Sequence, residues 1–263
     1  MPTLVLPPRF TDDSNFVRKA AIEAGWAVER LQGWRAPEWP RDADPVLYGE
    51  PLFAAVIAEP LRLALLESPF DWLTTVPREW LRREIRFMKL ADARNENRAF
   101  IKPAEDKCFA ARVYESGNEL PGAEVLSEAT PVLVSEPVKW LLEFRCFILD
   151  RQLATLSPYL REGELCQAED GTWTATEREI EQAREFIGRV LADDRVELPP
   201  AVVVDIGIIA EGGWAVVESN AAWGSGIYGC DPAKVLNVIR RACRPRDALT
   251  ADDSRWLPVR TNS

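Results

Sequence analysis

Val202-Val203-Val204-Asp205-Ile206-Gly207-Ile208-Ile209, followed by Glu211-Gly212-Gly213 and Trp214-Ala215-Val216-Val217-Glu218-Ser219-Asn220, decides how this chain folds. Two β-branched runs around a glycine-bearing turn predict an antiparallel hairpin. Pairing brings Asp205 to the same end as Glu218 and Asn220, and the period of two puts Glu218 and Asn220 on one face. Two carboxylates and an amide oxygen are hard ligands, suited to Mg²⁺ when substrate phosphates complete its octahedron. A simpler alternative is an aspartate in a turn context and an asparagine steadying the loop 221–226. Against it, Asp205 interrupts an apolar strand, where a carboxylate without a partner is costly to bury.

Working outward, short β-like segments dominate after Asn97: 99–102, 108–114, 132–135, 140–149, 152–156, 201–209 and 213–218. One helix interrupts them. Thr176-Glu177-Arg178-Glu179 has the form of a capping box, and Ile180, Ala183, Ile187, Val190 and Leu191 form its apolar stripe up to Asp193. A last helix starts at Asp231-Pro232 and runs through Leu236, Ile239 and Cys243. Beyond Arg244 the sequence is polar and aperiodic, so 247–263 reads as a tail.

The first ninety-seven residues alternate differently. Leu4–Leu6, Ala27–Leu31 and the run from Val46 read as strands; a helix capped by Asp13 or Ser14 ends before Gly25. Further helices are expected over Leu52–Leu66 and after Pro77, where Trp80, Leu81, Ile85, Met88 and Leu90 share helical spacing. Strands alternating with helices predict a parallel sheet.

The 263 residues make one large domain or two modest ones, and 47% apolar content suffices for a core. No apolar run approaches the roughly 20 residues that span a bilayer, and the N-terminus lacks the basic and apolar regions of a signal peptide. Five cysteines without a C-x-x-C pair resemble neither a disulfide framework nor a zinc site, and a cytoplasmic location is expected. Histidine is absent. That excludes Ser-His-Asp and Cys-His nucleophile systems and H-E-x-x-H metalloproteases, leaving Lys, Arg, carboxylates, amides and backbone. A net charge of −10 argues against nucleic acid as the main partner.

Two further segments carry charge in suggestive places. Phe100-Ile101-Lys102-Pro103 ends a strand in a lysine, with Lys107 and Arg112 close behind, a cation set suited to phosphate oxygens. Taken alone, Lys102 reads equally well as a surface cation. In 140–149, Glu143, Arg145 and Phe147 point one way and Leu142, Phe144, Cys146 and Ile148 the other. The second set is core; the first, standing alone, reads as a solvated Glu–Arg face.

In order, strand-Lys-Pro, the segment Ser135-Glu136-Pro137-Val138, a strand with Glu-x-Arg, and Asp205 thirteen residues before Glu218-x-Asn220 resemble the ATP-grasp superfamily, and within it the subgroup characterised by two arginines and a lysine. The resemblance covers about residues 98–243. It implies an α+β fold, with an N-terminal α/β pre-ATP-grasp domain (1–97), an ATP-grasp domain (98–246) whose two subdomains clasp the nucleotide, and the tail. It implies ATP and Mg²⁺ as cofactors. Lys102 would contact the α- and β-phosphates, Glu136, Pro137 and Val138 would form the hinge beside adenine, and Glu143 would join the nucleotide site. Asp205, Glu218 and Asn220 would hold Mg²⁺, Arg145 would face the γ-phosphate, and Lys107 would serve the lid and catalysis. The usual glycine-rich lid loop is lacking.

The implied reaction joins a small-molecule or peptide carboxylate to an amine or related nucleophile through an acyl-phosphate. Phosphoryl transfer requires in-line positioning and charge neutralisation, which Mg²⁺, Lys and Arg provide without histidine. The alternatives are an inactive ATP-grasp nucleotide-binding or interaction module and a kinase-like phosphotransferase on the same fold. No membrane partner is expected, and a homo-oligomer is compatible with the sequence.

Overall fold

The structure, a computed structural model, describes residues 1–40, 43–105 and 107–258. Strand β1 (Pro2–Leu6) leads to helix α1 (Asp12–Glu23), then β2 (Ala27–Arg30) and β3 (Asp44–Leu47), which flank β1 in the expected parallel sheet. The cap of α1 is Thr11 rather than Asp13 or Ser14. Thr11 is extended, and its hydroxyl and that of Ser14 each accept the other's backbone N–H at 3.1 Å, a reciprocal capping box.

The expected helix over 52–66 is shorter. Helix α2 (Pro51–Ile57) stops before Pro60, whose ring cannot continue it, and the buried β4 (Leu63–Leu65) pairs with a strand from the chain's far end. The helix expected after Pro77 is also corrected. After α3 (Trp72–Thr75), α4 (Arg78–Leu81) ends at Arg82, which is left-handed at φ 56°, and β5 (Ile85–Lys89) follows as a strand, then the short α5 (Leu90–Ala93). Spacings of three and four had suggested a helix face; hydrogen bonding to a neighbouring strand overrides them.

Strands β6 (Asn97–Pro103), β7 (Arg112–Ser116) and β8 (Pro131–Ser135) complete a four-stranded antiparallel sheet in the order β5-β8-β6-β7. β5, which precedes the expected boundary at 97/98, thus pairs across it. Residues 108–111, expected as strand, belong to the β6–β7 loop. Strands β9 (Trp140–Leu149), β10 (Gln152–Arg161), β11 (Glu164–Leu165), β12 (Ala201–Ile209) and β13 (Gly213–Asn220) form a second antiparallel sheet, ordered β11-β10-β9-β12-β13. Helix α6 (Glu177–Ala192), capped by Thr176 and Glu179 as expected, covers one face.

Each face of that sheet has its own core. Phe144, Cys146, Val202 and Val204 pack with Ala183, Phe186, Ile187 and Val190 of α6. Each such side chain contributes about 1.5–3 kcal/mol on burial. On the opposite face Phe147, Ala201 and Val203 join the N-terminal sheet and helix α7 (Pro232–Ala242). Further along this second face the same strands turn polar, with Glu143, Arg145 and Asp205 following Phe147 and Val203. That change places the site.

The segment read as a tail is partly structured. After β14 (Cys243–Pro245), paired with β4, helix α8 (Ala251–Ser254) carries the fully buried Asp253, 2.8 Å from Arg241, and Trp256 is also buried. Residues 259–263 of that tail lie outside the described residues.

Candidate functional site

The hairpin brings its acids together. Asp205 and Glu218 are register partners across β12 and β13. Asn220 Nδ2 donates to Asp205 Oδ2 at 3.2 Å and to Glu218 Oε1 at 3.1 Å. Asp205 is also the register partner of Arg145 on β9, whose Nε and Nη2 donate to Oδ1 and Oδ2 at 2.9 and 2.7 Å. The two parallel contacts form the fork geometry peculiar to arginine. Asp205 is fully buried and Arg145 is 6% exposed, so this face of the sheet is not solvated. Burial opposes the Arg145 cation, but Asp205 outweighs it and raises the guanidinium above its ordinary value.

The neighbours of Arg145 fix it further. Nη1 donates to Gly226 O at 3.1 Å, and the guanidinium carbon lies 5.1 Å from the Tyr159 ring and 4.8 Å from the Tyr228 ring. Tyr228 stacks on Tyr159 with ring centroids 4.6 Å apart, meets Trp173 edge-on, and is left-handed at φ 47°. Such a backbone in a large residue persists only where its surroundings impose it. Asp13, at the start of α1, approaches from the N-terminal sheet; a Cβ on Gly226 would lie 2.9 Å from its Oδ2.

Lys102 ends β6 in the four-stranded sheet and reaches the other sheet, its Nζ 2.6 Å from Glu218 Oε2. Burial opposes ionisation of Glu218, yet Lys102 and then the Asn220 amide pull its pKa down to about 2. Between the sheets lies a cavity of about 210 Å³, with Ile85, Phe100, Leu133, Val138 and Trp140 among its apolar walls and Arg83, Lys102, Glu136 and Glu218 among its polar ones. An apolar cleft with a few convergent charges is the usual form of a small-molecule site.

Arg83 escaped the sequence reading because it falls where a helix was expected. It is 5% exposed; Nη1 donates to the carbonyls of Leu81 and Val216 at 3.0 and 2.7 Å, and Nη2 to that of Val217 at 2.8 Å. Its guanidinium lies 5.0 Å from the Trp140 ring, and it has no carboxylate within ion-pair distance among the described residues. Burial pushes its pKa down to about 10, against the pull of Glu218 and Glu143. Tyr159, Tyr228 and Asp13 were missed as well, since no local motif marks them.

The other expected residues divide. Glu136 lines the cavity and its Oε2 accepts the Glu84 N–H at 2.8 Å; Val138 also lines it, while Pro137 lies between them in sequence and does not. Lys107 is exposed on the β6–β7 loop and makes no hydrogen bond or ion pair among the described residues. Glu143 is buried outside the cavity lining, against Gly207, where a Cβ would meet Leu142 O and the Trp140 ring at 2.8 Å. Glycine at 207 thus leaves the room that Trp140 and Glu143 occupy.

Burial, with Asp205 and Glu218 nearby, raises Glu143 to about 7, despite Arg83 and Arg145. The folded state therefore holds this proton more tightly than the unfolded chain, so the Glu143 contribution favours folding below pH 4.5 and is lost as pH rises to about 7. Relative to wild type, Glu143→Gln is expected to melt higher at pH 8 than it does at pH 5. A melting difference that does not change between those pH values would contradict the assignment.

In kind, the donors fit Mg²⁺: two carboxylates and an amide oxygen. Among the described residues no three His, Cys, Asp or Glu side chains gather closely enough to hold a metal by themselves. The Asn220 oxygen and substrate phosphates would have to complete such a site.

Two sheets facing each other across an apolar cavity, with a lysine spanning the gap and an acidic hairpin at its end, define the nucleotide-clasping ATP-grasp fold. Residues 80–238 match the family described as an ATP-grasp domain, family 2 of the clade named for two arginines and a lysine, and the chain belongs to that family. Solved structures share the fold at low identity. D-cycloserine synthetase DcsG is 15% identical, with 91% of this chain and 98% of that one covered and a TM-score of 0.57. The RimK domain ATP-grasp protein of Sphaerobacter thermophilus is also 15% identical over the same shares, at 0.50. D-alanine–D-alanine ligase of Bacillus anthracis, complexed with ATP, is 13% identical over 90% and 94%, at 0.50. No curated protein matches the chain. Among the described residues no helix is long and apolar enough to cross a membrane.

Proposed function

We propose that this chain is an ATP- and Mg²⁺-dependent ligase that phosphorylates a small-molecule or peptide carboxylate and passes the acyl-phosphate to an amine or related nucleophile. The observation that carries the reading is the meeting of Lys102, Arg83 and Glu218 in the wall of one cavity, beside the Arg145–Asp205 pair. The apolar walls suit a planar base, with the chain at Glu136–Val138 offering backbone groups to its edge. Lys102 and Arg83 bind the phosphates, and Arg145, already oriented by Asp205, stabilises the charge that spreads over the transferred phosphoryl group. Glu218 and Asn220, with Asp205 behind them, would hold Mg²⁺, which supplies charge neutralisation at the phosphates. The five free thiols suit a cytoplasmic enzyme.

One observation favours the non-catalytic reading: residues 104–111, where a lid would close, contain no glycine, and the lid candidate Lys107 faces solvent. Incubation with Mg·ATP and pools of amino acids and peptides separates the cases. The ligase reading expects ADP and phosphate only when a carboxylate and a nucleophile are both present, with hydroxylamine trapping the intermediate as a hydroxamate. ADP with one stably phosphorylated acceptor would make it a kinase. Nucleotide binding without turnover would make it a binding module.

A further inference from the structure

All four carboxylate oxygens of the acidic hairpin are occupied by donors of the chain itself. Asp205 Oδ1 and Oδ2 accept from Arg145, Glu218 Oε1 accepts from Asn220, and Glu218 Oε2 accepts from Lys102. The two cations differ in how they can leave. Arg145 is buried, doubly bonded to Asp205, bonded to Gly226 O and flanked by two tyrosine rings. Lys102 makes a single ion pair from a flexible stem that is 23% exposed, and it comes from the opposite sheet. A divalent ion can take Glu218 Oε2 only when the ammonium withdraws, since two cations cannot share one oxygen without strong repulsion. Withdrawal is cheap only when another anion receives the ammonium, and Lys102 lines the cavity assigned above to the nucleotide phosphates.

We infer that Lys102 is the resident counter-ion of Glu218, and that a divalent metal enters this site only with a nucleotide whose phosphates draw Lys102 away. This rests on the nucleotide reading of the cavity. Metal and nucleotide then strengthen each other's binding reciprocally, through the lysine as well as through their direct contact.

The test uses Mn²⁺ alone, titrated into the full chain and followed by the paramagnetic resonance signal of the free ion. Wild type is expected to bind it weakly. Lys102→Met and Lys102→Gln, each checked for an unchanged melting curve, are expected to bind Mn²⁺ roughly tenfold or more tightly, because the competing charge is gone. Adding Glu218→Gln to either variant should abolish the gain. Equal affinity in wild type and whichever variant folds, or no gain in either, overturns the inference. A parallel ADP titration of wild type in EDTA separates the two failures. ADP binding with no lysine effect on Mn²⁺ removes only the counter-ion role, whereas no ADP binding removes the nucleotide reading and with it the coupled entry.

Discussion

Asp205→Ala is expected to lower unfolding stability by about 3–5 kcal/mol, the usual result of removing one partner of a buried pair. The loss comes from what is left behind. Arg145 would keep its charge at 6% exposure with only the Gly226 carbonyl and two tyrosine faces around it, and Asn220 would lose one acceptor. Asp205→Asn retains part of the hydrogen bonding and should lose less. Replacing both partners, as Arg145→Met with Asp205→Leu, should recover most of the stability, because buried ion pairs are often no better than apolar packing of similar volume. Urea unfolding of the single and double variants measures this directly. A loss below about 1 kcal/mol in Asp205→Ala, the scale of an exposed pair, would show that water or a rearranged side chain compensates the guanidinium.

Arg83→Met should weaken ATP or ADP binding by roughly 30- to 1000-fold, or about 2–4 kcal/mol, the range for truncating one partner of a buried charge contact. Arg83 is a buried cation that lines the cavity, held by three carbonyls with no carboxylate in ion-pair distance among the described residues. An anionic ligand supplies the counter-charge that the fold withholds, in surroundings where that charge is poorly screened. Arg83→Lys keeps the charge but cannot reach all three carbonyls, so its affinity should fall between the two. Calorimetric titration with ADP measures the series. Full affinity in a folded Arg83→Met protein would make this arginine a structural clamp between α4 and β13.

Much of the β-rich region was legible because its signals are local. β9 and β12 begin and end where their sequences indicated, and the capping box at Thr176 and the Asp231-Pro232 start each mark the expected helix. The segment from 52 to 90 was misread because its apolar spacing fits either a short helix or a one-sided strand, and only pairing with β14 and β8 decides. The face carrying Glu143 and Arg145 was separated correctly from the core set, yet its burial was not legible. A Glu-x-Arg strand looks solvated until the Asp205 strand lies beside it.

Local periodicity, turn chemistry and the absence of histidine are properties of neighbouring residues, so the sequence by itself determined most elements, their order and the kinds of group available for chemistry. Tertiary structure alone decided which groups meet. Lys102 bonds to Glu218 across 116 residues and Arg83 to Val216 across 133, contacts made by strand order and by the approach of two sheets rather than by any motif. Burial, too, belongs to the assembled fold. It turns an ordinary arginine at 83 into a desolvated cation, lifts Glu143 to about 7, and makes the Arg145–Asp205 pair costly to break, because the energy of a charge depends on what surrounds it after folding.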